Sequence, residues 1–283
     1  MSTLVIARLT FKEAARRKIL LAALLLGLAF LTIFGLGFHY ILLNMSEESS
    51  GSLDLMQLSE IRNFLLMAGL YVVNFLTIMM TVLTSVDTVS GEIASGTIHT
   101  LVSKPIRRWE IIAGKWLGFM GMITLYLVLM AGGVFAIVYF LSDYLPPSMW
   151  KGLALLWLNG ALVLSVSFFG GTVFSTLANG VLIFGLYGIA FIGGWIEQIG
   201  TFLTNAAARQ TAVNIGIITS LMLPVDAIWK RAAYEMQSPL AGLIGISPFS
   251  SRSVPSPIML AYSVIYLAVM VFLALHQFNR RDL

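Results

Sequence analysis

Three sets of residues in this chain have types and spacings that could do chemistry. The first lies in 87–110, DTVSGEIASGTIHTLVSKPIRRWE, where Glu92 precedes Gly96-Thr97-Ile98 and the cations Lys104, Arg107 and Arg108 follow. A carboxylate and a basic cluster can make charge-assisted hydrogen bonds to a partner or to another part of the chain. The second set is two polar stripes. Asn74, Thr77, Thr81 and Ser85 recur at spacings of 3, 4 and 4, with Thr88 beyond, and Ser165, Thr172, Thr176 and Asn179 repeat the pattern. At about 100° per residue each set shares one helix face. Such a face either lines a water-filled path or holds helices together by hydrogen bonds. The third set, Arg8, Lys12 and Arg16 at i, i+4 and i+8, shares a cationic face suited to anionic lipid headgroups. Leu4, Phe11 and Ala15 fall on a neighbouring face. Two readings stand for this arm: a membrane-surface anchor alone, or an anchor that also touches a cytoplasmic partner.

Other apparent motifs lack their essential parts. Gly91 and Gly96 match the glycines of a phosphate loop, but Thr97-Ile98 stands where Lys-Ser/Thr is required. Without that lysine nothing reaches terminal phosphates, so nucleotide-driven work needs another chain. Ser148-x-x-Lys151 follows Pro146-Pro147 without companion motifs and reads as loop. There is no H-E-x-x-H, and the absence of cysteine removes thiolate chemistry and Cys-ligated metals. His39 reads as an interface histidine, and the 14 methionines as packing residues.

The elements that must position these residues follow from composition. The 283 residues are 58% hydrophobic and 11% charged, with a mean hydropathy of +0.91. An average soluble domain is about a quarter charged. These values exclude a soluble enzyme, a nucleic-acid-binding domain and a disordered chain. Six apolar runs, 19–43, 64–86, 116–141, 153–177, 181–199 and 257–278, are long enough to cross a bilayer as helices. The fold class is therefore all-α: a polytopic membrane protein, 1–283 forming one membrane domain. The first run is too long for a signal peptide and lacks a small-residue cleavage site. A tight turn is expected around Asn179-Gly180, and no Asp falls at mid-membrane to form a protease dyad.

Orientation follows lysine and arginine near span ends. The arm 1–18 holds five, the 87–115 connection four and the tail two, together eleven of 17. Arg62, Lys151, Arg209, Lys230, Arg231 and Arg252 fall on the other side. Both termini are thus expected in the cytoplasm. The run 211–223, closed by Pro224, is short for a crossing, so the outer stretch 200–256 is expected to hold a re-entrant or interfacial helix.

In the 87–110 connection, Gly91 is expected to end the helix arriving from span two. Glu92 then sits in the first turn of a short helix over 92–102, where a carboxylate suits the dipole. Pro105 ends that helix near Lys104. Trp109 and Trp116 mark the headgroup level.

Glu92, Gly96-Thr97-Ile98, Ser103-Lys104-Pro105, Arg107 or Arg108, and Gly114-Lys115 together resemble the inner-loop motif of the type-2 ABC transporter permeases. Ile98 stands where members commonly have leucine. The basic arm, the six spans, the long outer segment between spans five and six, and Ser175-Thr176-Leu177 add to the resemblance. It implies a permease of an ATP-driven exporter, paired with a second permease as homodimer or heterodimer. It also implies coupling to a separate ATPase through Glu92, Gly96, Thr97, Lys104, Pro105 and Arg107. ATP and magnesium would sit on that subunit, with no cofactor on this chain. Spans two and five would form the pathway, with Asn74, Thr77, Thr81, Ser85 and Tyr187 as its residues. The plasma (inner) membrane is the expected location, the lipid bilayer the surrounding partner, and nucleic acid is not a partner. Two alternatives stand beside this reading. The basic cluster could be a topogenic signal only, which accounts for its charge but not for Glu92-x-x-x-Gly96-Thr97. The chain could also be a stand-alone polytopic membrane protein not driven by ATP, either a secondary, ion-coupled transporter or a membrane enzyme. Cargo chemistry is open, an apolar path favouring bulky apolar molecules.

Overall fold

The computed structural model describes residues 2–48, 55–98, 106–238 and 254–280. Among these it is all-helical. In chain order the helices are α1 (Ser2–Ala15), α2 (Lys18–Glu48), α3 (Leu55–Ser85), α4 (Ser90–Ala94) and α5 (Arg108–Ser142). Then come α6 (Met149–Val173), α7 (Thr176–Gly200), α8 (Ala206–Met222), α9 (Val225–Met236) and α10 (Pro257–Arg280). Six helices are long and apolar enough to cross a membrane, and they coincide with the six runs read from sequence.

Spans two and four, α3 and α6, form the centre, each with 67% of its apolar window buried inside the chain. Span one, α2, buries 6% of its window and span six, α10, 11%, so both present most of their surface outward. The polar stripes face inward, where α3, α6 and α7 meet. The Ser85 hydroxyl donates to Ser167 Oγ at 2.7 Å, and Asn179 Nδ2 donates to the carbonyls of Val86 and Ser167, both at 3.1 Å. Without water in lipid, these bonds satisfy the Ser85 donor and Asn179 Nδ2 within the protein, while Asn179 Oδ1 has no hydrogen-bond partner among the described residues. The turn between spans four and five falls at Phe174–Ser175 rather than around Asn179-Gly180, so Asn179 lies inside the first turns of α7. Its side chain is fully buried, which places it in the helix seam instead of the turn.

Two stretches are longer than a bilayer crossing needs, one of them joining α3 and α4 through the turn at 86–89. The stretch Ser59–Ala94 has 36 residues and Arg108–Ser142 has 35. At about 1.5 Å per residue each is roughly 50 Å long, against a hydrocarbon core of about 30 Å. Gly91 does not end the helix from span two. It lies inside α4, and the chain breaks at Gly96, whose φ of 73° is open to glycine at little cost. Of the helix expected over 92–102, the described part holds α4, which starts at Ser90 and ends at Ala94, a turn over 95–97 and a return to helix at Ile98. Residues 99–105, including Lys104 and Pro105, lie outside the described residues.

The arm, α1, runs beside the first turns of α5. Ile6 and Thr3 cover Gly114, Ala7 and Thr10 cover Gly118, and Phe11 lies over Gly121. The buried face is Ile6, Thr10 and Ala14; Leu4 is 71% exposed, so the apolar grouping expected for the arm does not form its packed face. Arg8, Lys12 and Arg16 are all exposed, on the face turned away from α5. A Cβ at Gly118 would stand 2.7 Å from the backbone oxygen of Ala7, which cannot move aside without the helix. Gly118→Leu is expected to unseat α1 at a cost of about 1–3 kcal/mol. Tryptic cleavage at Lys12 in detergent, compared with the parent protein, measures it; unchanged cleavage and melting temperature would show that the contact is dispensable.

Candidate functional site

At the end of the bundle where α4 meets α5, the two ends of the inner-loop motif close on each other. Glu92 in the first turn of α4 forms an ion pair with Lys115 of α5. Lys115 is 4% exposed, and the Glu92 side chain 19%. Breaking such a buried pair by removing one partner leaves an uncompensated charge. The second Glu92 oxygen, Oε2, is buried without a hydrogen-bond partner among the described residues, so the carboxylate retains accepting capacity. Gly114, next to Lys115, is the seat of the arm, so arm, loop and span three share one joint.

A second ion pair braces this joint. Arg17 at the corner between α1 and α2 donates to Asp87 at 2.7 Å and to Glu13 at 3.2 Å. Burial works against the Arg17 cation, and the carboxylates of Asp87 and Glu13 more than offset it, so its pKa lies above the ordinary value. The open side of the loop presents Ser95, Thr97 and Arg107, all exposed. The Thr97 hydroxyl donates to the Glu92 carbonyl at 3.4 Å and pairs with Ser95 at 2.9 Å, which closes the turn at Gly96. Arg107 precedes α5 as its N-cap, and its backbone N–H donates to Glu110 at 3.1 Å.

The stripe residues of α3 divide. Thr77 and Thr81 are buried, with hydroxyls donating to the carbonyls one turn back, Val73 and Thr77. Ser85 is spent on Ser167. Asn74 and Tyr187, by contrast, line one small cleft, with Tyr71, Phe191, Asp226 and Trp229 around them. The rings here are in mutual contact: Tyr71 lies 5.1 Å from Trp229, Phe75 6.3 Å from Tyr187, and Phe191 within 6.5 Å of Tyr71, Phe75, Tyr187 and Trp195. The Trp195 indole donates to the Tyr71 hydroxyl at 2.8 Å.

The short apolar run read from sequence is part of a bent pair. Helices α8 and α9 meet at 108° across Leu223-Pro224. The Asn205 side chain caps α8 by accepting from Ala207 and Ala208 N–H at 2.9 and 3.2 Å. Gly200 faces Ala212 and Gly193 faces Thr219, so α8 returns antiparallel along α7. Helix α9 then runs out along α6: Met236 covers Gly152, and the hydroxyl of Ser238 donates to Glu60 at 2.7 Å. Both ends of the pair thus lie at one end of the bundle, opposite Glu92, and its elbow lies inside. Asn159 Nδ2 meets the elbow at the Val225 carbonyl, 3.2 Å, and also donates to Asn74 Oδ1 at 3.0 Å. Lys230 of α9, which in the sequence reads as an outer-loop cation, is 6% exposed. It lies 2.6 Å from both Glu197 of α7 and Asp226. Its spacing to Asp226, i+4 after Pro224, was the one available signal of this triad.

A membrane bundle with a basic arm, an inner loop closed on Glu92 and Lys115, and a bent helix pair before the last span defines a transporter permease. The family of ABC-2 family transporter proteins matches residues 4–283, and the chain belongs to that family. It is a membrane permease of ABC transporters, associated with an ATPase subunit, and is not itself the ATPase. No curated protein matches the chain.

The Asn74–Asn159 pair yields a paired test. Asn159→Leu leaves the Asn74 amide oxygen unpaired at depth and is expected to cost about 1–3 kcal/mol, whereas replacing both residues by leucine recovers most of it. Thermal unfolding of the single and double variants in detergent measures the difference; equal losses in both would refute the pairing.

Proposed function

We propose that the chain is one of two permeases in an ABC exporter of the plasma (inner) membrane. Both termini face the cytoplasm, and the 87–115 connection docks on a separate ATPase that holds ATP and magnesium. The observation that carries this reading is the Glu92–Lys115 pair at the inner end of two overlong helices, beneath an open surface of Ser95, Thr97 and Arg107. A push on that surface reaches a charged joint in place of a floppy loop. Through Gly114 the same joint moves the arm, whose outward cations Arg8, Lys12 and Arg16 rest on anionic headgroups. Lys104 and Pro105 complete the motif in the sequence and lie outside the described residues.

The second permease covers the face of α7 and α3. Gly185 and Gly188 have open space beside them, flanked by exposed Phe184, Ile189 and Ile192. Small residues of this kind let helices approach closely in lipid. Where α3 meets α7, Phe75 is 38% exposed over the cleft of Asn74 and Tyr187, and polar groups there suit a wet interface better than lipid. Cargo passes this cleft outward, while Thr77, Thr81 and Ser85 hold the wall behind it.

In the assembled complex, Glu92→Ala and Lys115→Ala should each lower cargo-stimulated ATP hydrolysis and transport by about ten- to a hundredfold, the worth of a charge-assisted hydrogen bond, without loss of membrane insertion. Exchanging the two residues, E92K with K115E, should recover part of the loss. Full transport in either single variant would sink the joint as the coupling element. The background contains no cysteine, so Arg280→Cys reports topology directly. A membrane-impermeant maleimide should label it in inside-out vesicles and not in intact cells; labelling of intact cells would overturn the orientation.

A further inference from the structure

We propose that Tyr262 and Tyr266 of the last span are positioning residues for the cleft of Asn74 and Tyr187, which they hold in shape by latching the elbow of the bent pair. The two lie at i and i+4 on α10, so they share one face, and their rings are 5.9 Å apart. The Tyr262 hydroxyl donates to the Leu221 carbonyl at 2.6 Å, and the Tyr266 hydroxyl to the Met222 carbonyl at 3.0 Å. Both carbonyls belong to the last turn of α8.

The bend leaves those carbonyls in need of donors. The last four carbonyls of a helix have no partner within it. Pro224 has no N–H, and the N–H of Val225, which a continued helix would turn to Leu221, donates to Leu223 at 2.9 Å. Leu221 and Met222 are about half exposed, on a flank where lipid offers no donor. The last span supplies the two missing donors, and Asn159 of α6 holds the other side of the elbow at the Val225 carbonyl.

What fixes the elbow fixes the cleft. Val225, Asp226 and Trp229, in the first two turns of α9, line the cleft together with Asn74 and Tyr187. Val225 is the first residue of α9, so a shift of the elbow carries this wall with it. Neither tyrosine is among the residues that line the cleft, so the two hydroxyls act on it through the elbow.

The latch is read on the full chain in nanodiscs, without ATPase or transport, so its outcome is independent of the cargo path; only its bearing on cargo rests on the proposed path through the cleft. Val225→Cys, at a position 3% exposed, reports the cleft wall, and Gln210→Cys, at an exposed position near the start of α8, reports the rest of the pair. Replacing both tyrosines by phenylalanine keeps the rings and removes the hydroxyls. A water-soluble maleimide should then label Val225→Cys at least about tenfold faster than with both tyrosines present, and Gln210→Cys at the same rate as before. Unchanged labelling at Val225→Cys overturns the latch, and so does an equal rise at both positions, which is a loosening of the whole pair. Should the double variant fail to fold, Tyr262→Phe and Tyr266→Phe taken singly, each leaving one bond, decide the question by the same comparison. Faster labelling with unaltered transport by the assembled complex would leave the latch standing and remove the cleft from the cargo path.

Discussion

The absence of water in the hydrocarbon core governs this molecule. A polar group that enters lipid has to find its partner in the protein, at a cost of several kcal/mol if it does not. For the backbone the answer is the helix, and the six spans follow. For side chains the answer is pairing between helices, and here the pairs occur where the architecture departs from a simple bundle. Asn159 bonds the elbow of the bent pair and Asn74 together. Asn179 bonds two carbonyls where α6 turns into α7. Lys230 joins the bent pair to span five. Each is a local response to the same rule, and together they determine which helix touches which.

The rule relaxes where helices leave the bilayer, and there the chemistry changes character. Beyond the hydrocarbon, α4 and the first turns of α5 meet through charge, Glu92 on Lys115, and through close backbone approach, Gly114 and Gly118 under α1. Glycines bring the arm near enough for its apolar face to seal the joint, and Arg17 ties the corner of the arm to Asp87. Arm, loop and third span are therefore packed together as one body at this end of the bundle. The opposite end is built differently, from a helix pair that dips into the bundle and returns. The two ends of the bundle are thus built on different principles, charge and close backbone approach at one and a re-entering helix pair at the other.

Much of this was legible in the chain alone. Runs of about 20 apolar residues dictate six helices because nothing else satisfies a backbone in lipid. The short run closed by Pro224 marked a segment that does not cross by itself. The spacing of Glu92, Gly96-Thr97 and Gly114-Lys115 pointed to the family, to which the chain belongs. The Asn74–Ser85 stripe was visible at helical period, since 3.6 residues per turn puts spacings of 3 and 4 on one face.

What the tertiary structure alone decided is which groups those faces meet. Periodicity tells that Asn74, Thr77, Thr81 and Ser85 share a side, not that α6 lies against it while Asn74 reaches the cleft with Tyr187. A charge count by loops puts Lys230 outside with Arg231, because one-dimensional bookkeeping has no depth. Folding α8 and α9 back into the bundle carries Lys230 inward between two carboxylates and leaves its neighbour Arg231 at Glu235. Glu92 likewise reads as a free contact until a residue 23 positions later comes beside it. Helical period is local and written in the chain; partnership between helices depends on packing across tens of residues, and no spacing rule encodes it.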